Sequence, residues 1–313
     1  MIVGWLQLIG GLLILLVGGE YLVRSSVKLA LHLNISSIVI GLTVVSLCTS
    51  FPELVVSVNA ALDGHPDISL GNLVGSNIAN LGLVLGLTAI VFPISVERSS
   101  IALHWPLMLL STLLLILFAW DLNIETWEAF ILFGCLIAYN VLVIKVSGRT
   151  EGGDLEVIDT NIERSNSGLI RTILILLVSM VLLIFGADLL VDGAVEVARS
   201  FGLEERVIAI SIIAFGTSAP ELATSLIAVY RKETSLGIGN LIGSNIFNIL
   251  AILGITGILH PIDVNPQILS FDLIWVLGIP LLITPFLLSR MKVSRLEGIL
   301  LLGLYLSYMY LIF

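Results

Sequence analysis

Charged residues are scarce in this sequence. They make up 12% of its 313 residues, whereas hydrophobic residues make up 58%, and the mean hydropathy is +1.11. Apolar runs of about 20 residues, the length that a helix needs to cross a bilayer, recur along the chain. This composition excludes an ordinary water-soluble domain and predicts an integral membrane protein.

Other absences narrow the function. The two cysteines, Cys48 and Cys135, lie inside apolar runs and carry no information about a redox compartment. The first run, from Ile2 to Val23, lacks a basic start and a small-residue cleavage site, so we expect a retained helix. Neither a phosphate-binding loop nor a nucleophile, base and acid set is present, which argues against an enzyme. The net charge of -9 lies mostly in loops, and nothing points to nucleic acid as a partner.

The apolar runs predict ten membrane-spanning helices. Their predicted limits are 2–23, 38–62, 70–94, 101–119, 126–146, 169–190, 207–230, 236–262, 270–289 and 294–313. Residues 147–168 are polar and rich in Gly, Ser, Asp and Glu, which predicts a linker. The chain would then consist of two five-helix halves, residues 1–146 and 169–313.

The two halves carry the same pattern at an offset of 168 residues. Thr-Ser-Phe-Pro-Glu at 49–53 recurs as Thr-Ser-Ala-Pro-Glu at 217–221, and Gly-Ser-Asn-Ile at 75–78 recurs at 243–246. Because each half has an odd number of spans, the second must enter the bilayer upside down relative to the first. The predicted fold is therefore an all-α integral membrane protein of ten helices in two inverted-topology five-helix repeats.

The basic residues predict the orientation. Only Arg199 and Arg206 fall on the same side as the termini, and the other 12 of the 14 Lys and Arg residues fall on the opposite side. By the positive-inside rule, both termini are extracytoplasmic and the linker is cytoplasmic. A compact chain without a large regulatory domain suggests the plasma membrane of a prokaryote.

The second helix of each half carries the chemistry. Pro52 and Pro220 should break these helices in mid-membrane and free carbonyl oxygens. Glu53 and Glu221 are the only acidic residues near the centre of a predicted span, and neither has an intramembrane Lys or Arg to pair with. A carboxylate at that depth indicates a functional site. The hydroxyls beside the breaks add hard oxygen ligands: Thr49, Ser50, Thr217 and Ser218.

The third helix of each half adds a polar face. Ser76 and Asn80 are one turn apart, as are Ser244 and Asn248, so these side chains could line an ion site. The remaining asparagines lie at other angles and either contribute to the site or only bond between helices: Asn72, Asn77, Asn240 and Asn245.

Two further sets have structural interpretations. Glycines spaced by four residues predict close helix packing: Gly71, Gly75, Gly239 and Gly243. Glu20 and Asp188 lie near the ends of the first and sixth spans, where a solvated role is expected.

These motifs resemble the calcium/cation antiporter superfamily, and most closely its sodium/calcium exchanger branch. The hallmark is G-T-S-x-P-E followed on the next helix by G-S-N-I-x-N or G-S-N-I-x-D. It occurs at 216–221 with 243–248, and at 48–53 with 75–80, where Cys48 replaces the first glycine. The resemblance implies a core of helices 2, 3, 7 and 8, across which helices 1 and 6 slide.

The resemblance also implies a ligand set. The expected ion ligands are Glu53, Glu221, Thr49, Ser50, Ser76, Asn80, Thr217, Ser218, Ser244 and Asn248, with the backbone carbonyls of Ser46 and Ala214 as possible additions. Several relatives carry Asp where this chain has Asn248, so potassium coupling is not expected.

The implied activity is Ca²⁺ transport in exchange for Na⁺ or H⁺, with no permanently bound cofactor. Two ionised glutamates balance one Ca²⁺ or two protons, whereas three Na⁺ would leave one net positive charge. The motif favours Na⁺, the charge count suits H⁺, and both remain open. A passive cation channel with Glu53 and Glu221 as selectivity residues is the alternative. A scaffold that transports nothing would leave the two carboxylates unexplained.

Overall fold

The computed structural model describes residues 2–98, 100–147, 166–201 and 214–312, and the chain is almost entirely helical there. The helices of the first half are α1 (Ile2–Leu33), α2 (Ser37–Ile40), α3 (Ser46–Thr49), α4 (Phe51–Leu62), α5 (Pro66–Ala79), α6 (Leu85–Val91), α7 (Trp105–Phe118) and α8 (Thr126–Ser147). Those of the second half are α9 (Asn166–Ser200), α10 (Ala214–Thr217), α11 (Ala219–Tyr230), α12 (Thr234–Phe247), α13 (Leu253–Leu259), α14 (Leu273–Arg290) and α15 (Arg295–Ile312).

Several of these helices join through π-helical turns. The turns are Gly41–Val45, Asn80–Val84, Ser100–His104, Asn248–Ile252 and Ile268–Asp272. The last two follow the second and third at the offset of 168 residues, so the repeat extends to this local irregularity. A π turn shifts the register of a helix and is often found at functional sites.

Eight helices in the described part of the chain are long and apolar enough to cross a membrane, and a ninth span results if the bent pair Ser37–Thr49 and Phe51–Leu62 counts as one. The predicted seventh span, 207–230, is described only from residue 214 onward. Most of the predicted linker, residues 148–165, also lies outside the described residues.

The first and sixth spans are longer than predicted. We expected 2–23 and 169–190, but α1 has 32 residues and α9 has 35. A helix of 32 residues is about 48 Å long, more than a hydrocarbon core of about 30 Å. Hydropathy marks where the apolar stretch ends, and these helices continue beyond it through polar residues.

Two small sheets, which the sequence did not predict, connect the halves. Their strands are β1 (Ile94–Ser95), β2 (Asn123–Ile124), β3 (Ile262–Asp263) and β4 (Lys292–Val293). β1 pairs antiparallel with β4, and β2 pairs antiparallel with β3. The predicted helices 70–94 and 236–262 therefore end early, at Val91 and Leu259. Strands of two residues are too short to produce a recognisable alternation.

The third and eighth spans form the centre of the molecule. In their most apolar stretches 78% and 83% of residues are buried, compared with 28% for α1, α8, α9 and α15. Both central spans are rich in glycine and asparagine, and they carry half of the predicted ion ligands.

Candidate cation site

Both predicted helix breaks are present. Ser50 has φ −85° and ψ 7°, and Ser218 has φ −88° and ψ 3°, so neither residue continues a regular helix. Around Ser50 the chain bends by 47°. Pro52 and Pro220 lie in the first turn of the helix that follows, where the missing proline N–H costs little.

Each break places a glutamate at the start of a new helix. Glu53 lies in the first turn of α4, and Glu221 lies in the first turn of α11. The unpaired N–H groups and the positive end of the helix dipole at this point stabilise a carboxylate. The preceding helical segments end at the same place, and their last carbonyl groups are suited to a cation.

The two carboxylates are fully buried, with 0% exposure each. Neither oxygen of Glu53 receives a hydrogen bond from another residue. Ser50 Oγ donates to Glu221 Oε1 at 3.1 Å, while Glu221 Oε2 has no partner. No Lys or Arg of the described residues pairs with either glutamate, and the two carboxylates are close enough to repel each other. The site therefore favours a positively charged ligand.

Hydroxyl groups connect the first break to the second half. Thr49 Oγ1 donates to Asn240 Oδ1 at 3.0 Å and lies 3.3 Å from Ser244 Oγ. The hydroxyls of Thr49 and Ser244 also lie beside Glu221. The ligands predicted from one half thus meet those predicted from the other.

Oxygens without a partner are concentrated at this point. Buried side-chain oxygens that receive no hydrogen bond from another residue include both of Glu53, Ser76 Oγ, Asn80 Oδ1, Ser218 Oγ, Glu221 Oε2 and Asn248 Oδ1. A buried polar group without a partner costs about 1–3 kcal/mol, so such a concentration needs a ligand to explain it. Hard oxygen donors are the ligands that Ca²⁺ prefers.

The central helices present their asparagines at special points of the backbone. Asn80 and Asn248 each begin a π-helical turn, and both are fully buried. The site has only two carboxylates, because no group of three or more His, Cys, Asp or Glu side chains suited to a metal occurs among the described residues. Neutral oxygens would complete any coordination shell.

Of the ten predicted ligands, Thr217 alone is half-buried rather than buried. Direct contacts join Thr49, Ser50, Glu221 and Ser244. The others meet as buried groups on the same four segments, and the ligand set remains a prediction. The carbonyl of Ser46 accepts the backbone N–H of Ser50 at 2.9 Å.

Sequence reasoning left the roles of four asparagines open, and the structure gives them partners. Asn240 accepts from Thr49, Asn72 Nδ2 donates to Ser57 Oγ at 3.1 Å, and Asn248 Nδ2 donates to Asn77 Oδ1 at 3.0 Å. Asn245 Nδ2 donates to the carbonyl of Leu241 in its own helix at 2.8 Å. The recurrence of these asparagines at the repeat offset was the available signal.

The glycine prediction holds for the second half. A Cβ on Gly239 would lie 2.7 Å from the Ile38 carbonyl oxygen, and one on Gly243 would lie 2.7 Å from that of Leu42. α12 therefore packs directly against the helical segment before the first break. For Gly71 and Gly75, no atom of the described residues comes within 4 Å of such a Cβ, and their packing role remains a prediction.

Comparisons with known proteins agree with this geometry. A sequence profile of the family described as "Sodium/calcium exchanger protein" matches residues 3–145 and again 171–313. A protein of Alkalimonas amylolytica named as an antiporter, CaxA, is 36% identical over 317 residues, covering 100% of this chain and 99% of that protein. The sodium/calcium exchanger MaX1 of Methanosarcina acetivorans is 30% identical, with 99% of both chains covered.

A solved structure gives the same result for the fold. The sodium-calcium exchanger NCX_Mj, soaked with zero Na⁺ and Ca²⁺, matches with a TM-score of 0.84 and 29% identity over 100% of this chain and 99% of that chain. These families consist of exchangers and not of enzymes. The chain is thus a multi-pass membrane protein that belongs to the sodium/calcium exchanger family of the calcium/cation antiporter superfamily.

Proposed function

We propose that this protein is a secondary active antiporter that exchanges Ca²⁺ for Na⁺ or H⁺ by alternating access. The transported ions would bind in mid-membrane between Glu53 and Glu221. The observation that carries the proposal is the pair of fully buried carboxylates, each at the start of a half-helix and surrounded by oxygens without partners. Two full negative charges without a cationic side chain require a bound cation or proton at that depth.

Strict exchange follows from the charge of the site. Bound Ca²⁺, Na⁺ or protons neutralise the carboxylates, so a loaded site can pass the apolar barrier between its two accessible states. An empty site keeps two negative charges and resists that step. Counter-transport therefore needs no gate beyond the electrostatic cost of moving an unoccupied site.

We also propose ten spans arranged as an inverted repeat, with residues 147–168 as a cytoplasmic linker and both termini extracytoplasmic. The pairing of the strands supports this arrangement. β1 and β3 are equivalent in the repeat, as are β2 and β4, yet β1 pairs with β4 and β2 with β3. Two halves that entered the membrane in the same direction would place equivalent strands, not these partners, on the same side.

The counter-ion has support on both sides. MaX1 and NCX_Mj are named as sodium/calcium exchangers, which favours Na⁺. Two glutamates can exchange one Ca²⁺ for two protons without any further titrating group, which favours H⁺. The relatives tip the proposal toward Na⁺, and the plasma membrane of a prokaryote remains the proposed location.

The decisive experiment measures ⁴⁵Ca²⁺ uptake into sealed proteoliposomes with the voltage clamped by an ionophore. One set is loaded with Na⁺, and a second is acidic inside and free of Na⁺. Uptake that requires the Na⁺ gradient identifies a sodium/calcium exchanger, and uptake that requires the pH gradient identifies proton coupling. Equal uptake without either gradient would refute the antiporter and favour a channel.

A further inference from the structure

The asparagine after the Gly-Ser pair of each central helix lies beside the site without being one of its predicted ligands. Asn77 on α5 is 2% exposed, and Asn245 on α12 is 3% exposed. They occupy equivalent positions at the offset of 168 residues. Their side chains nevertheless bond differently, and the difference suggests a role for one of them.

Asn77 holds the side chain of a predicted ligand. Asn248 Nδ2 donates to Asn77 Oδ1 at 3.0 Å, and Asn77 Nδ2 donates to the backbone oxygen of Asn245 at 3.4 Å. Both ends of the Asn77 carboxamide are therefore engaged with the second half. Asn248 Oδ1, the other end of the ligand, has no partner.

The orientation of a carboxamide decides whether it attracts a cation. Its oxygen is a ligand, whereas its NH₂ group carries positive partial charge and repels one. Because Asn77 engages the NH₂ group of Asn248, the oxygen remains for the ion. We propose that Asn77 is a positioning residue that holds the Asn248 carboxamide with its oxygen toward the transported cation. This inference rests on the proposed function and adds a residue to the same site.

The first half lacks the corresponding arrangement. Asn245 Nδ2 donates to the Leu241 carbonyl, and neither side-chain atom of Asn80 has a hydrogen-bond partner. The carboxamide of Asn80 is therefore not held, and the site combines one oriented amide with one that can turn. Asn245 provides a matched control for Asn77 in the same chain.

Two double-mutant cycles test the proposal, with the KM and maximal rate of ⁴⁵Ca²⁺ uptake measured under the gradient that drives the wild type. Asn77→Leu should raise the KM roughly tenfold or more, as loss of a group that orients a metal ligand usually does. In an Asn248→Ala background the same change should have almost no further effect. Asn245→Leu should change the KM by less than about threefold, alike with and without Asn80→Ala. An equal effect of Asn77→Leu in both backgrounds would overturn the proposal.

A second variant separates positioning from packing. Asn77→Asp keeps an oxygen that can accept from Asn248, so its KM should stay within about threefold of the wild type. If Asn77 only fills space, the apolar isostere Leu should be tolerated better than Asp, and that order would contradict us. Should Asn77→Leu fail to fold, the Asp variant decides alone, since a tenfold rise in its KM would refute the proposal. Wild-type protein without gradient-driven uptake would instead refute the proposed function.

Discussion

At the level of single residues, the two carboxylates of the site are held in different ways. Ser50 donates to Glu221, whereas Glu53 receives no hydrogen bond from another residue. The repeat therefore duplicates the residue types without duplicating their contacts. Both carboxylates share the start of a helix, so the backbone stabilises each of them in the same way.

Removal of either negative charge should disable Ca²⁺ binding. Glu53→Gln and Glu221→Gln each leave one carboxylate for a divalent cation, and we expect apparent Ca²⁺ affinity to fall on the order of a hundredfold, because affinity follows the number of charged ligands. Uptake of ⁴⁵Ca²⁺ into proteoliposomes measures this. Asp192→Asn, an exposed acidic residue on α9, is the control and should transport like the wild type. Normal transport by either glutamine variant would refute the two-glutamate site.

At the level of elements, the long helices α1 and α9 cross with their backbones in close approach. A Cβ on Gly193 would lie 2.6 Å from the Gly4 carbonyl oxygen, and one on Gly11 would lie 2.8 Å from that of Gly186. These distances leave no room for a side chain. Glycine is used here because it lets two helices pack without a hydrophobic driving force.

Gly193→Ala should therefore destabilise the protein although alanine is the better helix former. The inserted methyl meets backbone atoms that cannot rotate away, so we expect the free energy of unfolding to fall by about 1–3 kcal/mol. Thermal unfolding in detergent measures the loss. Gly303→Ala on α15 is the matched control, since Gly303 is exposed and no described atom lies within 4 Å of its added Cβ. Equal melting temperatures for the two variants would contradict the packing argument.

An ion pair ties α1 to the end of α11, although Glu20 was expected to be solvated. Glu20 accepts from Arg24 in its own helix and from Arg231, whose Nε lies 3.1 Å from Glu20 Oε2. The equivalent positions in the other half are acidic, Asp188 and Asp63, so the repeat of the fold does not include this pair.

The ion pair should contribute little to stability. The side chains of Glu20 and Arg231 are 26% and 40% exposed, so water screens their attraction. A double-mutant cycle of Glu20→Gln and Arg231→Gln should give a coupling of about 0.2–1 kcal/mol that weakens in high salt. A coupling of several kcal/mol, independent of salt, would show that the pair is effectively buried.

At the level of the whole molecule, contacts between the halves define two faces. β1 and β4 lie on one side, and β2 and β3 lie on the other. Most of the basic residues belong to loops predicted on the β1 and β4 side. The strand pairs and the charge distribution therefore support the same orientation.

Labelling of single cysteines in intact cells tests that orientation. In a Cys48→Ala, Cys135→Ala background, Asp121→Cys should react with a membrane-impermeant maleimide, whereas Lys292→Cys should react only after permeabilisation. Both positions are exposed, so access and not burial decides the result. Labelling of both positions from the same side would refute the inverted arrangement.

Much of the fold could be predicted because each signal is local. Pro52 and Pro220 break helices wherever they lie inside one, and apolar runs mark spans regardless of their neighbours. The extra length of α1 and α9 could not be predicted, because a helix can continue in water after its apolar stretch ends. The two-residue strands and the π turns at Asn80 and Asn248 leave no periodic signal.

For the site, the sequence by itself determined the residue types, their duplication and their depth: two carboxylates, hydroxyls and asparagines in mid-membrane, where only a cation or proton makes them tolerable. Only the tertiary structure decided which of them touch. Thr49 meets Asn240 and Asn77 meets Asn248 across 191 and 171 positions of sequence. Such contacts depend on how two packed halves are placed against each other, and no local pattern in either half contains that information.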